Sequence, residues 1–345
     1  MKDQQIGYFF IVFASVIIVL AGIKSASVII VPFLLSLFIA IILSPTFNFF
    51  KDKGLPDGLS ITFVMALFIL FLVFVAKLIG TSIHDFSANI DFYSDRLSVY
   101  YKLLSEYSEK IGIEIPVDEI STMINSKQIM GFATGIIKSI SSLFTDGFVI
   151  LLTVIFMLLE SKHFLEKIDY ADGDRDTIVH IREIMGQIKS YMVIKALISL
   201  LTGLIVWVSL SLIGTDYAFL WGVLAFMLNF IPNIGSIIAA VPAILITLVQ
   251  LGPLSALMVS IVYIFVNVVI GSIIEPKVMG RGVGLSTLVV FLSLLFWGWL
   301  LGMVGMLLSI PLTIMAKIAF NANEKTKWIA VLLGTGENLN PKAQK

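Results

Sequence analysis

The residues best suited to chemistry fall in two short clusters. Glu275-Pro276-Lys277-Val278-Met279-Gly280-Arg281 puts a carboxylate and two cations at the end of an apolar stretch. Asn229-Phe230-Ile231-Pro232-Asn233-Ile234-Gly235-Ser236 concentrates amides, a hydroxyl and a proline inside apolar sequence. Amide and hydroxyl groups can donate to and accept from a neutral, hydroxylated solute. Pro232 has no amide hydrogen and leaves a carbonyl free in the preceding turn, and a water-lined cavity is one place where such a group finds a partner. The plainer alternative is a kinked helix whose polar residues satisfy local backbone. For Glu275 the alternatives are a functional intramembrane acid and an interfacial salt bridge to Lys277 or Arg281. Asn267, with Gln250 and Ser272, could also face a pathway, although apolar helices often bury one such residue.

Other chemistries find no support. The chain has no cysteine, and its three histidines, His84, His163 and His180, are scattered. No HExxH, GxSxG or Walker pattern occurs. Asp172 to Glu183 faintly imitates a calcium loop, but Thr177 stands where the turn needs glycine. Neither a metal nor a cofactor is expected, and the chain does not read as an enzyme. Lys plus Arg and Asp plus Glu balance at 23 each, so nothing points to nucleic acid.

The elements that position these clusters belong to a membrane. Of 345 residues, 58% are hydrophobic and 13% charged, and the mean hydropathy is +1.02. Tyr217–Ile274 and Gly282–Ala316 contain no Asp, Glu, Lys or Arg. A helix needs about 20 apolar residues to cross the ~30 Å hydrocarbon core. The apolar periods predict full spans near Ile6–Ile23, Ser27–Ser44, Leu59–Gly80, Leu143–Leu159, Tyr191–Ile213 and Leu254–Ile274. The first is longer than a secretory h-region and reads as an uncleaved span. Tyr217–Gln250 would measure about 51 Å as one helix, too long for an upright span, whereas two arms split at Pro232–Gly235 are about 22 Å each, too short for two crossings. A re-entrant hairpin fits both limits. Leu285–Ile318 repeats the pattern, with Gly298, Gly302 and Gly305 at its middle. The expectation is an all-α polytopic membrane protein with six full spans and two re-entrant helical hairpins; the rival has eight straight spans.

Residues 1–80 form the first scaffold spans, and 81–142 an extracytoplasmic helical segment with amphipathic spacing from Phe86 to Ile111. Residues 143–213 carry spans four and five with an amphipathic cytoplasmic helix, on which Ile178, Ile181, Ile184, Ile188 and Met192 form one stripe. Residues 214–320 form the transport region and 321–345 a tail. Basic loop residues Lys51, Lys53, Lys317, Lys325 and Lys327 place both termini in the cytoplasm.

Val31–Ala40 (VPFLLSLFIA), Phe226–Ala240 (FMLNFIPNIGSIIAA), Ile274–Leu285 (IEPKVMGRGVGL) and Leu300–Pro311 (LLGMVGMLLSIP) resemble the autoinducer-2 exporter family of bacterial membrane proteins over about residues 6–320. The likeness is closest to its quorum-sensing signal transport branch. It implies a multi-pass protein of the bacterial inner membrane that exports autoinducer-2, a small neutral signal molecule, and assembles as a cyclic homo-oligomer, a pentamer. Some members are similar to Na⁺(Li⁺)/H⁺ antiporters. Many of these carry a further acid in the span before the EPK block. Here that position is Ile270, with Asn267 in place of a common Gln, and only Glu275 remains.

Overall fold

In the computed structural model, residues 2–89, 91–93, 95–96, 99, 147–171, 175–232, 234–279 and 284–335 are described. The body of the expected extracytoplasmic unit, Asn233, the calcium-like loop residues 172–174 and Arg281 lie outside them. Among the described residues every regular element is helical, as lipid requires of a chain that must satisfy its own backbone.

Helix α1 (Lys2–Ser25), α2 (Ser27–Asp52) and α3 (Asp57–Ala88) open the chain, and α4 is Gly147–Ala171. Then α5 runs unbroken through Arg175–Ile213, joining the expected amphipathic helix and fifth span in one rod. Among the described residues, five helices are long and apolar enough to cross a membrane: Ser27–Asp52, Asp57–Ala88, Met185–Ile213, Pro253–Met279 and Thr287–Leu307. Phe10–Ser25 and Gly147–Glu160 are shorter apolar helices. α2 packs on α3 and α4, with Phe38, Phe47, Val64 and Val154 buried.

Neither uncharged run is a straight rod. After α5, α6 (Ala218–Leu228) descends, the chain turns, and α7 (Gly235–Leu251) returns. The two ends of this loop are tied together. Thr215 Oγ1 lies 3.1 Å from Thr247 Oγ1, the Asp216 amide donates to Gln250 Oε1 at 2.7 Å, and Gln250 Nε2 donates to the Gly214 carbonyl at 3.1 Å. Tyr93 donates to Asp216 Oδ2 at 2.6 Å; burial, reinforced by Asp216, pushes its hydroxyl pKa up and keeps it the donor. The tight packing of α6 on α5 needs glycine. A Cβ on Gly203 would sit 2.7 Å from the Gly222 carbonyl, and one on Gly222 2.6 Å from Trp207 Cβ. Small residues let membrane helices approach closely and gain dispersion contacts where lipid offers no hydrophobic drive.

α8 (Pro253–Val266) then continues as a π-helical stretch, Asn267–Ile274, before α9 (Glu275–Met279). The expected plain α-span is therefore corrected in its second half. α10 (Thr287–Leu307) contains a break at Gly302 (φ 67, ψ −149), and α11 (Ser309–Asn321) and α12 (Lys327–Leu332) follow. α11 packs back on α10. Its return is fixed by Lys317 Nζ donating to the Gly284 carbonyl at 2.5 Å and by the Ser286 amide donating to the Leu333 carbonyl at 3.2 Å.

Candidate functional site

The two sequence clusters meet on α5. Asn229, at the tip of the α6–α7 fold-back, is buried and donates from Nδ2 to Ser199 Oγ at 3.0 Å. Glu275, where the π-helical stretch ends, places Oε1 2.6 Å from Lys195 Nζ. Lys195 and Ser199 are one helical turn apart, roughly 6 Å. Side chains 30 and 80 positions distant in sequence are thus brought to neighbouring turns of one helix.

Local structure explains each placement. α6 lies antiparallel to α5, as the Gly203–Phe226 and Trp207–Gly222 contacts show. The same register carries Asn229 to Ser199. The turn after Leu228 is held by the Ile231 amide on the Leu228 carbonyl (2.8 Å) and the Ile234 amide on the Pro232 carbonyl (2.6 Å). Pro232 lies in the turn, where its carbonyl accepts, and the helix is interrupted between Leu228 and Gly235. Gly235 closes the turn, since a Cβ would lie 1.8 Å from the Leu228 carbonyl oxygen. Ser236 is half-buried at the start of α7.

The π-helical stretch has a wider ring than an α-helix. Its last step sends the Glu275 amide to the Ile270 carbonyl, five residues back. Such segments are rare and frequent at functional sites. The stretch starts at half-buried Asn267, whose Oδ1 would be 3.2 Å from a Cβ on Gly271.

Of the alternatives for Glu275, the salt bridge to Lys277 is not the one formed, and Arg281 lies outside the described residues. Pro276 and Lys277 are exposed, and the carboxylate turns inward to Lys195, which is 3% exposed. Desolvation decides the choice, because a buried carboxylate needs a counter-charge beside it and an exposed lysine can leave its own to water. Lys195 and Ser199 escaped the sequence reading. The available signal was a lone charge within Tyr191–Ile213, and an ionisable residue inside a span is a functional candidate.

Among the described residues, three buried side-chain atoms have no hydrogen-bond partner: Thr202 Oγ1, Tyr263 hydroxyl and Ser309 Oγ. Thr202 lies one turn beyond Ser199, and Tyr263 one turn before Asn267. No group of three or more His, Cys, Asp or Glu residues that could hold a metal occurs among the described residues. A separate crevice of about 1010 Å³ opens between the scaffold and the other side of α5 and α6. Apolar side chains line it almost throughout, including Phe68, Phe74, Trp207 and Phe226.

Comparison with known proteins adds to this geometry. The model of the AI-2E family transporter matches residues 12–325. The chain is 40% identical to the AI-2 transport protein TqsA of Escherichia coli over 94% of both chains. It is 43% identical to a protein of Haemophilus influenzae whose name proposes transport without a cargo, over 94% of this chain and 95% of that one. A similarly named Escherichia coli protein, YhhT, is 36% identical over 94% and 93%. These relatives are transporters and not enzymes, and the arrangement above is a multi-pass helical membrane protein with polar residues gathered on one helix: the chain belongs to the AI-2E transporter family.

Proposed function

We propose that this protein exports autoinducer-2 across the bacterial inner membrane, with the α6–α7 fold-back acting as a re-entrant hairpin that carries the solute site. The observation that carries the reading is the meeting of Asn229 and Glu275 on adjacent turns of α5. Depth supports it. Ser199 lies 14 positions before Ile213, the end of α5, roughly 21 Å along the helix at ~1.5 Å per residue. A tip tied to Ser199 thus reaches about two thirds of the way through a ~30 Å core without crossing it. Broken helices at such depth are where transporters bind their cargo. The second fold-back enters from the opposite face in this reading, and Met306 and Leu307 pack on the cluster holding Leu228 and Ile231.

The chemistry suits a neutral, polyhydroxylated molecule. Asn229 and Ser199, with the unpartnered hydroxyls of Thr202 and Tyr263, offer donors and acceptors without a fixed net charge. The similarity to TqsA, named as an AI-2 transport protein, favours that cargo. Asn233, Ser236, Asn267, Pro276, Lys277 and Arg281 complete the proposed pathway. Both termini are cytoplasmic, and a cyclic homo-oligomer, a pentamer, is the proposed assembly. Cation–proton antiport is the weaker reading, because Glu275 already has an internal counter-ion in Lys195.

Uptake of labelled autoinducer-2 into everted vesicles tests the assignment. Wild-type protein should fill the vesicles, and Asn229→Ala and Ser199→Ala should slow filling about tenfold at equal protein, the loss of one well-placed hydrogen-bonding group. Wild-type rates in both would remove the site. No uptake by the wild type would remove the cargo.

A further inference from the structure

We propose that Lys195 is a specificity determinant: a built-in cation that cancels the charge of Glu275 and so keeps the pathway closed to alkali cations. The inference rests on the reading of this region as the solute path, and it concerns what the path refuses.

The argument starts from charge. Between Tyr191 and Ile213 the one ionisable residue with a charge is Lys195, and between Pro253 and Ile274 there is none. Within these two spans, Lys195 is therefore the single charged group available to the carboxylate of Glu275. That group is present, 2.6 Å away, with the lysine side chain 4% and the glutamate side chain 18% exposed. The pair sums to zero. A neutral solute then meets hydrogen-bonding groups and no field that would hold an ion. An ion leaving water at this depth would have to supply its own compensation, which is costly.

Geometry sharpens the point. The amide and hydroxyl oxygens one turn away, on Asn229 and Ser199, are the hard neutral ligands that alkali cations accept alongside a carboxylate. With Lys195 in place its ammonium fills the cation position. With Lys195 replaced by an uncharged residue, a carboxylate and two oxygen-bearing side chains would remain around a vacant cation position. Lys195→Gln keeps a donor near Glu275 and removes the charge.

Sodium uptake into proteoliposomes gives the test, with wild type, Lys195→Gln and Lys195→Gln/Glu275→Gln compared. Wild type should match empty liposomes. Lys195→Gln should exceed them about tenfold, since only this variant leaves an intramembrane carboxylate without its partner, and the double variant should return to background. Melting temperature gives a second readout: sodium chloride should raise that of Lys195→Gln relative to choline chloride and leave the wild type unmoved, because a ligand that binds the folded state stabilises it. Assembly of Lys195→Gln in sodium but not in choline would support the proposal in the same way. Failure to assemble in both salts, or an assembled variant with background sodium uptake and no sodium-dependent melt, overturns it. Signal uptake by the wild type is measured in the same vesicles; its absence would remove the proposed cargo and leave the cation result standing.

Discussion

The two fold-backs solve one problem in different ways. Both must reverse a chain that has no charged residue to anchor it. The first does so at a polar tip. Gly235 is compressed against the Leu228 carbonyl, and Asn229 reaches sideways to α5. The second turns at Gly302, in a backbone conformation that only glycine adopts readily, and its tip is apolar. Leu300, Leu301 and Val304 are buried there with Phe38 and Met192. Its tie is internal: Trp297 Nε1 donates to Thr313 Oγ1 at 2.9 Å. One tip presents hydrogen-bonding groups to α5, and the other packs apolar side chains against neighbouring helices.

The largest expected effects break both turns sterically. Gly235→Val and Gly305→Val should abolish stable assembly, seen as loss of the monodisperse peak in detergent. A Cβ would lie 1.8 Å from the Leu228 carbonyl oxygen in one and 2.1 Å from that of Trp297 in the other, and a backbone atom cannot swing aside. Overpacking of this kind costs about 3 kcal/mol or more. Normal assembly of Gly235→Val would rule out a turn closed by Gly235 against the Leu228 carbonyl.

Next comes Gly302→Ala, which separates strain from crowding. Nothing lies within 4 Å of a Cβ there, but φ is 67. The expected cost is about 1–3 kcal/mol from backbone strain alone, read as a lowered melting temperature with signal uptake proportional to folded protein.

Smaller again is Asn229→Ala against Trp297→Phe. Each removes one interhelical or cross-turn hydrogen bond, worth about 0.6 kcal/mol in membrane proteins. Their melting temperatures should fall alike, while only Asn229→Ala slows uptake. Equal slowing would erase the functional contrast between the tips. The smallest effect is expected of Gln250→Leu, which unties the far ends of the first fold-back without touching its tip. Because the Gln250 Nε2 bond is exposed, its stability loss should be about 0.5 kcal/mol, with uptake reduced less than twofold, measured in the same vesicles.

Much of the architecture is legible in the chain. The uncharged runs demand lipid, and Pro232 with Gly235 marks a reversal where arithmetic forbids a straight rod. Gly302 was one of three candidate glycines, and its backbone singles it out. The stripe ending in Ile188 and Met192 points both of these side chains into the core; those of Ile178, Ile181 and Ile184 lie outside the described residues. The π-helical stretch was not legible, since Asn267–Ile274 reads as ordinary apolar helix. Nor was the Tyr93–Asp216–Gln250 clasp, whose members are spread over more than 150 positions.

By itself the sequence determined the solvent, the breaks and the residue types available at them, because hydropathy, proline and glycine act locally. Only the tertiary structure decided that Glu275 pairs with Lys195, 80 positions back, and leaves the adjacent Lys277 exposed. Pairing among charges is settled by which of them lose water, and that depends on how α5 and the π-helical stretch pack together.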